Sequence, residues 1–154
     1  MNKNLSKRAK EIISKIEYVT IASVTEDGLP WNSAVFSAFD SNYNFYWGTH
    51  KDSQKAKNIR ANKNVFLVIY DSTVPSGTGE GVYMQAVAYE LNNMTEIKEA
   101  YKLLKTRHTA PFWEFKAIKN GPIRLYKASP IKSWMNDGGE KNGHYIDIRT
   151  KIKF

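Results

Sequence analysis

A chain of 154 residues, 42% hydrophobic and 25% charged, has the size and balance of one globular domain (residues 1–154) and is too short for two ordinary ones. The absence of cysteine excludes disulfides, thiolate nucleophiles and cysteine-ligated metals. The net charge of +8 is spread over both halves, ten basic and seven acidic residues in 1–77 against thirteen and eight in 78–154, which argues against a dedicated nucleic-acid stripe.

No apolar run approaches the ~18 residues needed to cross a bilayer, and Met1 to Ser6 lacks the apolar core of a signal peptide, so a cytoplasmic location is expected. Leu5, Ala9, Ile12, Ile13 and Ile16 recur at helical spacing opposite a charged face, which predicts an amphipathic helix. Tyr18 to Thr25 reads as a strand, Glu26 to Pro30 as an Asp-Gly hairpin turn, and Trp31 to Phe39 as the returning strand. Asp40-Ser41-Asn42 turns the chain into Tyr43 to Trp47, and the three strands are expected to form an antiparallel meander.

A polar segment from Trp47 to Lys55 follows. Asp52 or Ser53 can cap a helix to about Ala61 with Ala56 and Ile59 inward and a basic exterior. Val65 to Tyr70 is a strand apolar on both faces, and Asp71 to Gly81 is a loop. Gly81 to Leu91 is another strand, with Gln85 the one amide in its interior. Asn93 and Glu96 have the spacing of a capping box for a helix ending near His108. Pro111 to Phe115 is an aromatic connector. Ile123 to Ala128 is strand-like and continues past Pro130 to Met135, and the C-terminus alternates apolar and polar residues as a strand with one wet side.

Six or seven strands on hairpin connections with three helices define a mainly β, α+β fold, best satisfied by an antiparallel barrel with flanking helices. The chemistry concentrates where the second helix begins. Hydroxyls, amides and ammonium groups there meet unpaired N–H groups and the positive end of the helix dipole, which suits a phosphate. Aromatic-rich strands on either side suit a flat ring, so flavin mononucleotide (FMN) is the ligand expected, opening on a ring-sized cleft. A buried Gln85 must find a partner or cost about 1–3 kcal/mol, and a flavin edge is one way to supply it. Trp31, Trp47 and Trp134 are the candidate stacking rings. His50, His108 and His144 have no short ligand spacing, so no metal is expected. No Gly-x-Ser-x-Gly, Walker or His-Glu motif is present.

The order of Ile21-Ala22-Ser23-Val24, Pro30-Trp31-Asn32-Ser33-Ala34-Val35, Phe45-Tyr46-Trp47-Gly48-Thr49, Ser53-Gln54-Lys55-Ala56-Lys57-Asn58-Ile59 and Met84-Gln85-Ala86-Val87-Ala88 resembles the pyridoxamine 5′-phosphate oxidase-like superfamily of FMN-binding split barrels. The similarity runs from Tyr18 to Met135. It implies a six- to seven-stranded split β-barrel, and a homodimer with FMN at the subunit interface. By the same resemblance Asn32, Ser33 and Ala34 line the ring and ribityl chain, and Gly48 and Thr49 end the next strand. Ser53 and Lys55 bind phosphate, Gln85 reaches the cofactor from the partner subunit, and Trp134 packs near the ring.

The chain departs from the authentic oxidase at Ser33 and Ala38, where the family carries arginine and lysine, at Gln54 in place of arginine, and after Trp134, where no Arg-x-His follows. The resemblance therefore implies an FMN oxidoreductase of unspecified substrate, with reduced nicotinamide as one reductant, rather than a true pyridoxamine phosphate oxidase. A non-catalytic flavin- or haem-binding protein is the alternative. No catalytic side chain is assigned.

Overall fold

A computed structural model describes residues 3–154, so Met1 and Asn2, the start of the segment read for a signal peptide, lie outside it. Helix α1 (Lys3–Lys15) lays Leu5, Ala9 and Ile13 into the core, the face that the helical spacing of these residues dictates. Strand β1 (Tyr18–Val24) and β2 (Pro30–Phe36) form a hairpin, with Gly28 supplying the positive φ of +86° at its turn. The remaining elements are β3 (Ala38–Phe39), β4 (Phe45–His50), α2 (Gln54–Ala61), β5 (Asn64–Tyr70), β6 (Gly81–Glu90), α3 (Met94–Arg107), α4 (Phe115–Lys119), β7 (Ile123–Lys141) and β8 (His144–Ile152).

Every strand pair is antiparallel, in the order β2-β1-β5-β6-β7-β4-β3, with β8 added to β7. The mainly β, helix-flanked split-barrel class is the one expected, with eight strands and four helices among the described residues in place of six or seven and three. The sheet is not closed, because its end strands β2 and β3 do not pair. The expected meander is also absent: the strand read as Trp31 to Phe39 breaks at Ser37. Ser37 is buried, and its N–H donates to Glu17 O at 2.9 Å, the last bond of the β1–β2 ladder before the chain passes into β3 and pairs with β4. The two ends of the sheet are thus joined by one residue.

Strand β7 is long because it changes neighbours along its length. Residues 126–128 lie between β6 and β4, and residues 133–135 between β6 and β8. The ladder slips where Gln85 faces Lys132 and Ala86 faces Pro130, leaving Ile131 bulged and exposed beside a proline with no N–H to give. The Asn142-Gly143 turn, both residues at positive φ, closes the β7–β8 hairpin.

The main core packs α1 and α2 against one face of the sheet around Trp47, Ile21, Leu67, Met84 and Tyr126. A second cluster packs α3 and α4 on β4 through Leu104, Ile118, Tyr46 and Leu125. Strand β5 is apolar on both faces but buried on one: Val65, Leu67 and Ile69 are buried, whereas Phe66 and Val68 lie half-buried on an open face. Among the described residues no helix is long and apolar enough to cross a membrane.

Candidate functional site

Strands β2 and β4 approach each other without pairing, and the gap between them is a slit. A cavity of about 350 Å³ occupies it, lined by Ala34 and Phe36 from β2, Gly48 from β4, Lys55 from α2, and His108 and Trp113 from the end of α3 and the connector beyond. That volume lies within the range of small-molecule sites. Of the residues singled out in the sequence, Ala34, Gly48 and Lys55 meet here.

Ser53 is the N-cap of α2, and its hydroxyl accepts from Ala56 N–H at 3.4 Å. Thr49 Oγ1 and Ser53 Oγ are 3.1 Å apart, and Lys55 Nζ donates to Thr49 Oγ1 at 3.0 Å. The strand end and the helix start are therefore tied together at the polar corner of the slit. Lys55 is half-buried, and among the described residues it has no carboxylate within ion-pair distance. Burial holds its pKa below the ordinary lysine value. A cation removed from water without a counter-charge suits an anionic ligand.

The other predicted residues are distributed differently. Ser33 points to the opposite face of β2 and accepts from Trp31 Nε1 at 3.2 Å. Asn32, paired with Ala22, is exposed on the open face of the sheet. Gln85 is exposed there too, across from Phe66, which corrects the reading of a buried amide. Its strand neighbours Met84 and Ala86 take the buried side instead. Trp134 stacks on Phe66 with ring centroids 6.5 Å apart. None of these four lines the slit of a single chain. Trp47 stacks on Tyr126 in the core. His50 is exposed and accepts from Asp52 N–H at 3.2 Å.

Phe36, His108 and Trp113 line the slit without a sequence pattern that assigns them to it. His108, the C-cap of α3, stacks edge-on to Phe36 at 4.6 Å. Trp113 comes from the aromatic connector, and a Cβ at Gly48 would overlap its ring. Glycine at 48 is thus required by close approach. Gly48→Ala is expected to cost about 1–3 kcal/mol by overpacking, measured as a lowered melting temperature with increased exposure of one tryptophan.

A family model described as pyridoxamine 5′-phosphate oxidase matches residues 5–135. The chain belongs to the pyridoxamine 5′-phosphate oxidase-like family. Solved structures of the same fold include an F420 reductase, 21% identical, with TM-score 0.63 over 80% of this chain and 94% of that one. HutZ, the haem storage protein of Vibrio cholerae, is 16% identical, with TM-score 0.65 over 82% of this chain and 89% of its own. A haem-binding protein from Mycobacterium smegmatis is 14% identical, with TM-score 0.71 over 94% of this chain and 57% of its own. Among curated proteins, none matches the chain. Structures that differ this far in sequence share a fold, and the chemistry of each is decided by its own site.

Proposed function

We propose that this protein is an FMN-dependent oxidoreductase of the cytoplasm that works as a homodimer. The observation that carries the reading is Lys55: a half-buried ammonium without a carboxylate partner among the described residues, set beside Thr49 and Ser53 at the start of α2 and lining the slit. A phosphate there would complete the charge that burial leaves uncompensated. The ring would lie along Ala34, where a small side chain lets a flat group come close to the backbone of β2.

Bound FMN would supply the redox chemistry, while the chain holds the phosphate, orients the ring and limits water. Reduced nicotinamide is the reductant class this reading favours. Ser33 and Ala38, together with Asn136-Asp137-Gly138 after Trp134, lack the basic groups of a true pyridoxamine phosphate oxidase, so another substrate is favoured.

Support for the dimer comes from the open sheet face. Tyr18, Val24, Tyr70 and Ile131 are exposed around Phe66, Val68, Gln85 and Trp134. An apolar face of this kind suits a second copy, which would bring Gln85 and Trp134 towards a neighbouring slit.

The deciding measurement is the absorption spectrum of purified protein with and without added FMN, together with its mass in solution. A flavin spectrum at one FMN per chain, on a two-chain particle, is the expected result. No uptake at micromolar FMN would remove the proposal. A haem-binding reading is favoured by one observation, that His108 lines the same slit, where its imidazole would hold the iron. A Soret band on addition of haem, with no flavin uptake, would select it.

A further inference from the structure

Resting on the FMN reading, we infer that Trp113 is the ring-facing wall of the slit and that its indole stacks on the flat part of the ligand. Trp113 stands inside the cavity, occupying the side-chain space that Gly48 leaves empty. It is nevertheless 40% exposed, so part of the largest aromatic surface in the slit has no protein covering it.

Its position is fixed from behind. Tyr101 OH donates to Trp113 O at 2.8 Å, which anchors the connector to α3. Ring contacts then run continuously from the sheet: Tyr18 to Phe36 at 6.2 Å, Phe36 to His108 at 4.6 Å, His108 to Phe112 at 5.3 Å and Phe112 to Trp113 at 5.2 Å. An indole held this way presents a pre-oriented face at little entropic cost, and aromatic stacking then adds to affinity. Lys55, on the same cavity, addresses the charged end of a ligand. The two residues therefore read different parts of one molecule.

Their separation sets the test. FMN and riboflavin, which share the ring and differ by the phosphate, are titrated against wild type, Trp113→Ala, Trp113→Phe and Lys55→Met, following both affinity and flavin fluorescence. Trp113→Ala is expected to weaken FMN and riboflavin alike, by about fivefold to tenfold, and to relieve the quenching of bound flavin. Trp113→Phe should retain most of the affinity. Lys55→Met should weaken FMN and spare riboflavin. Unchanged affinity and quenching in Trp113→Ala would overturn the inference while leaving the FMN reading intact, and so would a loss confined to FMN. Failure of the wild type to bind either flavin would overturn both. Should Trp113→Ala not fold, Trp113→Leu carries the same comparison.

Discussion

Lys55→Met is expected to weaken FMN binding about 10- to 100-fold and, at neutral pH, to raise the melting temperature of the ligand-free protein. The first effect follows from removing a charge-assisted contact to a dianion, on the order of 1.5–3 kcal/mol. The second follows from burial. Desolvation lowers the pKa of Lys55 in the folded chain, so its charge opposes folding whenever no anion is bound. Between that lowered value and the ordinary lysine value the unfolded chain binds more protons, and stability therefore rises with pH through this window. The advantage of the methionine variant should shrink accordingly as the solution becomes alkaline. FMN affinity of the wild type should fall over the same alkaline range, whereas that of the variant should not. Each kcal/mol recovered is worth about 2–4 °C in a domain of this size. Equal FMN affinity in the two proteins would show that the phosphate docks elsewhere.

Arg107→Ala is expected to be the most damaging surface-accessible substitution, lowering stability by about 2–4 kcal/mol. Arg107 ends α3, and its Nη2 donates to Ile13 O and Ile16 O at 2.8 Å and to Ser14 O at 3.4 Å. These are carbonyls at and just past the C-terminus of α1, which a cation satisfies both as donor and as charge. The guanidinium also lies 4.8 Å from the centre of the Phe39 ring. One side chain thus ties together α1, α3 and β3. Arg107→Lys should recover only part of the loss, since an ammonium lacks the planar fork. Thermal unfolding of the three proteins measures this, and a shift below about 2 °C for Arg107→Ala would show the cap to be dispensable.

The parts of the fold legible in the sequence are those encoded within a few residues of one another. Ser53 and Asn93 cap their helices as their spacing indicates, and Asp27-Gly28 turns the first hairpin. Asn142-Gly143 carried an equally strong hairpin signal that marks the last turn. What escaped was set from a distance. At Ser37 the chain leaves the ladder with β1 and takes β4 as its partner, a choice made by pairing between distant elements. The side of β6 that Gln85 takes cannot be read from its neighbours, because residues on both faces of that strand are apolar. Helix α4 has no side-chain cap bond at Glu114 to announce it. At the site, Lys55 was legible from its place behind a helix cap, whereas Trp113 becomes visible only when folding lays it against Gly48.

The single-residue joint at Ser37 has one more consequence. Among the described residues, strand β2 has no strand partner on its outer edge, and residues 47–50 of β4 have none on the side away from β7. Amide and carbonyl groups therefore face one another across an interrupted ladder, like two halves of an unfastened zip. A ligand entering there would meet main-chain atoms of both strands in addition to the Lys55 and Trp113 side chains. Occupancy should also slow amide hydrogen exchange along both borders at once.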